Sequence, residues 1–184
     1  MSLKELTMQQ HRNAERQKFA GVLMSGVIPK ISYLRYLVNQ HACYSALESM
    51  SLFSLPNKKL KRSANIKQDI DELTLDLNID YKLSDMLTKS TQEYIDHVNK
   101  LQAEDDFMAH IYVRYLGDLR GGQMIAKKIP GKGRYYDFED PHELANDIYR
   151  KLNDNMAEEA KKVFNFATKL FIEMHDIMLS KKEI

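Results

Sequence analysis

A histidine, a carboxylate and a lysine share one face of the helix predicted at the start of the chain. Glu15 follows His11 by four residues and Lys4 precedes it by seven, so all three lie near one stripe. Two interpretations of His11 stay open: a partly buried histidine bonded to a carbonyl oxygen or to Glu15, and a metal ligand oriented by a nearby acceptor. Because a lone histidine can hold heme iron but not a free transition metal, the second interpretation implies heme.

Three of the seven glycines fall in YLGDLRGGQ, residues 115–123, within a stretch whose apolar spacing is helical. Each glycine inside a helix costs about 1 kcal/mol relative to alanine. Gly117 and Gly121 lie on one helix face and leave a groove without side chains. A kink, close helix packing or a helix end would explain them structurally. The functional alternative is a flat, wide ligand against the bare backbone, with Asp118 holding water nearby, so that this helix and His11 would sandwich a porphyrin.

Helices are predicted along the whole chain, and no strand alternation is sustained. The spacing of Ser2 and Glu5 is that of a capping box, which starts the first helix. A turn is expected at LNIDYK, residues 77–82, and a polar loop at residues 129–141. The sequence predicts an all-α fold, a compact helical bundle forming a single domain over residues 1–184. The predicted helical segments are about Leu3–Met24, Pro29–Leu52, Ser63–Leu75, Ser84–Ile129, Pro141–Asn153 with Asp140 as cap, and about Met156–Leu179.

The composition excludes several classes of protein. With 43% hydrophobic and 29% charged residues, the chain has the composition of a soluble globular protein. The net charge of +1 argues against nucleic acid as a partner, and no apolar run approaches the ~20 residues of a membrane span. Cys43, the single cysteine, excludes an internal disulfide framework. The first residues lack the apolar core of a signal peptide, so we expect a cytoplasmic protein without a membrane partner.

Several motifs together resemble the heme oxygenase family. The run AHIYVRYLGDLRGGQMIAKKI is similar to the family's distal-helix signature, YxRYLGDLSGGQ, and HRNAE at 11–15 is similar to the proximal motif around the axial histidine. YSALE at 44–48, IYR at 148–150 and EEAKKVFNFATKLF at 158–171 extend the resemblance in order over nearly the whole chain.

The resemblance implies that heme b is both cofactor and substrate. The expected reaction opens heme to biliverdin, with the α isomer favoured, and releases carbon monoxide and ferrous iron. It consumes dioxygen and electrons from a separate reductant. Because the chain ends in SKKEI without a hydrophobic tail, it resembles the soluble microbial and plastid members, which implies ferredoxin as donor. A downstream bilin reductase is a further expected partner. Two alternatives stay open: a heme-sequestering protein without turnover, and a thiaminase-like relative with unrelated chemistry.

The resemblance also implies roles for individual residues. His11 would be the axial ligand of the heme iron and Glu15 its acceptor. Gly117 and Gly121 would let the distal helix approach the ring and flex, while Asp118 would organise the water network that delivers protons. The further residues implied are Arg114 and Tyr112 in that network, Lys4 and Arg150 beside the heme propionates, and Phe164 and Phe171 as apolar pocket walls.

The chain also departs from the family pattern. Arg120 stands where the family commonly has serine, Ala167 replaces a common asparagine, and Met8 and Asn146 stand where some members have propionate-binding lysines. Two basic clusters, Lys58, Lys59, Lys61 and Arg62, and Lys127, Lys128, Lys132 and Arg134, either meet an acidic donor or are a solvated surface. Cys43 is expected to pack in a core helix. The remaining histidines are expected to be structural or exposed: His41, His97, His110, His142 and His175.

Overall fold

The computed structural model describes residues 1–80 and 82–184, and within them every regular element is a helix. The predicted all-α class is therefore confirmed. Short 3-10 turns join several of the helices. The α-helices are α1 (Leu3–Glu15), α2 (Lys18–Met24), α3 (Lys30–Glu48), α4 (Ser63–Leu77), α5 (Lys89–Asn99), α6 (Glu104–His110), α7 (Gly117–Arg120), α8 (Gly122–Ala126), α9 (Pro141–Tyr149) and α10 (Ala157–Ser180).

The first predicted helix begins where expected but is divided. Ser2 caps α1 by accepting a hydrogen bond from the Glu5 amide at 3.3 Å, as the capping box predicted. The helix does not continue to Met24, because Gln17 is extended, with ψ of 144°, and separates α1 from α2. The Gln17 side-chain amide donates to the Asn13 carbonyl at 3.1 Å and stabilises the break. Both short helices can then pack against α10.

The single helical segment predicted over residues 84–129 is wrong. An extended residue, Thr88, caps α5 by accepting from the Thr91 amide at 3.2 Å. From Glu104 onward the chain does form one long rod: α6, a π-helical segment (Ile111–Leu116), α7 and α8 follow one another. A π turn is wider than an α-helical turn and changes the direction of the side chains around it. Such turns are frequent at functional sites.

The start of α9 and the turn over residues 77–82 were also predicted from the sequence. Asp140 stands at the start of α9 as predicted, but it has a φ of 50° and its side chain makes no capping bond. Its carboxylate instead lies 3.0 Å from Nζ of Lys59. The turn predicted over residues 77–82 includes Tyr81, which lies outside the described residues.

Helices α3 and α10 form the centre of the bundle. Helix α3 packs on α4, α5 and α10, while α10 also contacts α1, α2 and α6. The core is rich in tyrosine, and the fully buried rings include Tyr33, Tyr44, Tyr94, Tyr115 and Tyr135. None of the helices in the described part of the chain has the length and apolar character needed to cross a membrane.

Candidate active site

A cleft of about 480 Å³ is lined by α1, α2 and α10 on one side and by the π-helical segment, α7 and α8 on the other. This volume is within the range of small-molecule sites, ~300–1,000 Å³. The folding of the chain brings to this cleft most of the residues that the sequence analysis singled out: His11, Glu15, Arg114, Gly117, Asp118, Gly121, Phe164 and Phe171.

His11 lies at the mouth of the cleft, with its side chain 43% exposed. Its Nε2 lies 2.7 Å from Oε1 of Glu15, one helical turn further on. Its ring stacks on Phe164, with 5.0 Å between centroids and 13° between planes. A neutral imidazole that donates one ring N–H to Glu15 keeps a lone pair on its other ring nitrogen. The two interpretations of His11 are thus compatible, because bonding to Glu15 leaves one nitrogen for a ligand.

The three glycines of the rod have two different kinds of surroundings. A Cβ on Gly117 would meet nothing within 4 Å, and one on Gly121 would meet only the Gly117 carbonyl oxygen, at 3.4 Å. Both residues face open space in the cleft. A Cβ on Gly122 would lie 2.5 Å from Cδ1 of Tyr136, so this glycine is required for packing. All of these backbones are helical, and none needs a positive φ.

Asp118 is held by two tyrosines that come from distant parts of the chain. The hydroxyl of Tyr44, on α3, donates to Oδ2, and the hydroxyl of Tyr135, in the loop before α9, lies 3.2 Å from Oδ1. Gln40 donates to the Tyr135 oxygen at 2.9 Å, and the Tyr135 hydroxyl has two acceptors at 3.2 Å, Oδ1 of Asp118 and the Tyr44 oxygen. Burial raises the pKa of Asp118 to about 7, while the bonds from Tyr44 and Tyr135 act in the opposite direction. The group can therefore exchange a proton near neutral pH.

Arg114 places a positive charge beside this carboxylate. Its guanidinium carbon lies 4.1 Å from the ring centroid of Tyr94 and 5.8 Å from that of Tyr44. The charge of Arg114 helps to lower the pKa of Asp118. Its Nε is buried and has no hydrogen-bond partner among the described residues, which is an unusual state for a buried donor.

Three of the predicted site residues lie outside the cleft lining. Lys4 is exposed on α1, and Tyr112 is partly buried against the core, with no hydrogen bond to Asp118 in the described part of the chain. The Arg150 side chain is 71% exposed and donates to Asp147 at 2.7 Å.

Sequence reasoning missed two residues of the site. It also assigned Arg62 to a surface basic cluster, where it does not belong. Gln40 and Tyr135 belong to no motif that was recognised, and only the fold brings them to Asp118. Tyr44 was present in the YSALE motif but was given no role. Arg62 is buried, and its guanidinium donates to the carbonyls of Tyr135 and Asp137, both at 3.0 Å, so it is not part of a surface basic cluster.

The chain is similar to known proteins over nearly its whole length. The model of the heme oxygenase family matches residues 1–173, and the chain belongs to that family. The heme oxygenase of Guillardia theta is 29% identical, over 95% of this chain and 85% of that protein. The structure of heme oxygenase from Leptospira interrogans superposes with a TM-score of 0.79 and 27% identity, covering 94% of this chain and 100% of that one.

A second solved structure supports the fold alone. Heme oxygenase-1 of Synechocystis, in complex with heme, has a TM-score of 0.78 and 24% identity, over 97% of this chain and 93% of that one. The family and the fold together support heme degradation as the general activity.

Proposed function

We propose that this protein is a heme oxygenase that opens heme b to biliverdin, with the α isomer as product, and releases carbon monoxide and ferrous iron. The observation that carries the proposal is the pairing, across one cleft, of His11 with a glycine-faced helix that bears Asp118. A sequestering protein would need His11 but would have no use for a carboxyl group that titrates near neutral pH.

Three features of the cleft fit a heme. The space in front of Gly117 and Gly121 would be filled by any side chain, so it suits a flat ring lying against the backbone. The unpartnered Nε of Arg114 is a donor available to a ligand or a water molecule. Phe164 and Phe171 supply the apolar wall that a porphyrin needs.

Each residue of the cleft would have a separate role in the reaction. Bound heme supplies the iron at which dioxygen is reduced. His11 would hold that iron through one ring nitrogen, while Glu15 orients the ring through the other. Asp118, fixed by Tyr44 and Tyr135, would hold an ordered water and move protons into the cleft.

Arg114, Lys4 and Arg150 would act through their charges. Arg114 favours the ionised form of Asp118, which is the form that accepts hydrogen bonds from water. Lys4 and Arg150 would pair with the propionates and so fix the rotation of the ring. Such exposed pairs would contribute less than ~1 kcal/mol each, but together they would select the orientation of the ring in the cleft.

We also propose ferredoxin, or a similar acidic carrier, as the electron donor. Lys127, Lys128, Lys132 and Arg134 are exposed and follow α8, which lines the cleft. The other basic cluster is a poorer candidate, because Lys59 lies 3.0 Å from Asp140 and Arg62 is buried. Turnover that slows steeply as salt is added would support an electrostatic contact. The cytoplasmic location and a downstream bilin reductase belong to the same proposal.

An absorbance time course tests the proposed reaction. The hemin-loaded protein is mixed with ferredoxin, its reductase and NADPH, and the products are separated by chromatography. We expect the Soret band to decay while biliverdin absorbance grows, and Asp118→Ala to bind hemin but form little biliverdin. A Soret band that persists in the wild-type protein would indicate sequestration. Failure to form a Soret band on adding hemin would indicate the thiaminase-like alternative.

A further inference from the structure

A second group of metal-binding side chains lies outside the cleft, where α5, α6 and α10 meet. Nε2 of His97 lies 2.5 Å from Oε2 of Glu159, and Nε2 of His110 lies 2.7 Å from the same oxygen. These three donor atoms all lie within 4.8 Å of one another. None of the three residues lines the heme cleft. No sequence motif indicates this cluster, because its members come from three different helices.

Two members of the cluster, His110 and Glu159, are in the protonation states in which these side chains bind metal ions. His110 is fully buried, and burial lowers its pKa to about 4, so its imidazole is neutral at physiological pH. Burial alone would favour the protonated form of Glu159, but its hydrogen bonds to His110 and His97 outweigh that effect and lower its pKa to about 2. Metal ions bind neutral imidazole and ionised carboxylate.

The surroundings of His110 resemble the outer shell of a metal site. Nδ1 of His110 lies 2.5 Å from the hydroxyl of Tyr94. A histidine that binds a metal through one ring nitrogen holds its other N–H in a hydrogen bond. Tyr94 can accept that bond, so a tautomer change moves the ring proton to Nδ1 and leaves the Nε2 lone pair for the ion.

The cluster has an opening to solvent at His97. The side chain of His97 is 28% exposed, whereas that of Glu159 is only 6% exposed. An incoming ion and any water ligand would approach from this exposed side. The charges nearby set the affinity: Nζ of Lys162 lies 3.7 Å from Oε1 of Glu159, and Arg114 acts on His110 through its charge. Both cations repel an incoming ion and so weaken its binding.

From this geometry we propose that His97, His110 and Glu159 form a binding site for one divalent transition-metal ion. Two imidazoles and one carboxylate with open positions suit zinc, cobalt(II) and ferrous iron. Ligand bonds of about 2.0–2.2 Å require Glu159 to rotate away from its present position between the two rings. The site lies outside the cleft and does not depend on heme cleavage.

Titration of the heme-free protein with cobalt(II) tests the site. We expect one Co²⁺ per chain, visible d–d bands of low coordination number, and a higher melting temperature with bound metal. His97→Gln should abolish the bands with little effect on folding, because His97 is only partly buried. Glu159→Gln, which removes the ionised ligand, should also abolish the bands, and because Glu159 is buried its thermal unfolding is measured alongside as a check on folding. His142→Gln, at an exposed histidine of α9, is the matched control and should bind as the wild type does.

The histidine of the cleft must be excluded as the ligand. His11→Ala should bind cobalt normally if the site is the cluster, and heme binding by His97→Gln should equal that of the wild type. The proposal would be overturned by a wild-type protein that binds no cobalt. It would equally be overturned if His97→Gln and Glu159→Gln kept the full bands, or if His11→Ala alone removed them. None of these results depends on turnover of heme.

Discussion

The hydroxyl of Tyr135 lies 3.2 Å from Oδ1 of Asp118, although the two residues belong to different segments of the fold. Tyr44 bonds the other carboxylate oxygen, so the two phenols hold Asp118 from both sides. This arrangement fixes the direction of the carboxylate and limits the rise of its pKa, which burial drives to about 7. A residue outside the recognised motifs thereby affects the titration of the group to which we assign proton delivery.

We expect Tyr135→Phe to move the pH profile of heme turnover without weakening heme binding. Removing a hydrogen-bond donor to the ionised form raises the pKa of Asp118 further, because about 1 kcal/mol of anion stabilisation is lost. The acidic limb of the profile should therefore shift upward by about one pH unit. Turnover rates across a pH series, with Soret titrations of affinity, measure both effects.

Tyr149→Phe is the matched control for that experiment, since Tyr149 is exposed on α9 and does not line the cleft. Its profile should equal that of the wild type. A Tyr135→Phe profile that superposes on both would show that this hydroxyl does not affect the titration of Asp118.

We expect Asp118→Asn to stabilise the heme-free protein at alkaline pH but not at acidic pH. The folded pKa, about 7, is above the ordinary value of 3.8, so the folded state binds more protons between these values. Stability therefore falls as pH rises through this window and stays low above it. The gain from Asn should be about 2–4 kcal/mol at about pH 8 and near zero at about pH 3. Urea unfolding at the two pH values measures it, and an equal gain at both would contradict the assignment.

The glycines of the rod should respond to substitution in opposite ways. Gly121→Ala should leave the heme-free protein as stable or raise its stability by up to about 1 kcal/mol, because the backbone is helical and its Cβ has room. Gly121→Leu should fill the cleft and weaken hemin binding. Gly122→Ala should destabilise the heme-free fold by about 1–3 kcal/mol, since its Cβ would overlap the Tyr136 ring.

Thermal unfolding and hemin titration of the three variants distinguish a glycine that leaves room for the ligand from a glycine that is required for packing. If Gly121→Leu bound hemin with wild-type affinity, the groove would not be the ligand wall. If Gly122→Ala were as stable as the wild type, Tyr136 would have to move without cost.

Features that depend on neighbouring residues could be predicted from the sequence, whereas features that depend on packing could not. Ser2 and Glu5 fixed the start of α1 because a cap is formed by residues three positions apart. The break at Gln17 has no glycine or proline to mark it, and it depends on how α1 and α2 pack against α10. Tyr135 could not be assigned to Asp118, because only the packed bundle brings its loop to the rod. The spacing of Gly117 and Gly121 did predict a face without side chains, since that property is local to a helix.

We expect Arg150→Glu to change the mixture of biliverdin isomers or to lower heme affinity. Arg150 is exposed and paired only with Asp147 among the described residues, so its charge is accessible from solvent. Met8 and Asn146 offer no replacement cation. Lys151→Glu makes the same charge change at the next residue, which is also exposed, and should leave the products unchanged. Product chromatography that finds one unchanged isomer at unchanged affinity in Arg150→Glu would remove this residue from the propionate site.

His11 is the axial ligand in the proposed function, and its removal tests that role. His11→Ala should weaken the hemin complex, shift its Soret band and abolish turnover, because no other histidine lines the cleft within the described residues. Added imidazole should restore part of the spectrum, since deletion of the ring leaves a space beside Phe164 in which imidazole can stack. His142→Ala, an exposed histidine on α9, should behave as the wild type and controls for loss of a histidine elsewhere. An unchanged spectrum and full activity in His11→Ala would assign the iron to a different ligand, and Glu15 would then be only the partner of a surface histidine.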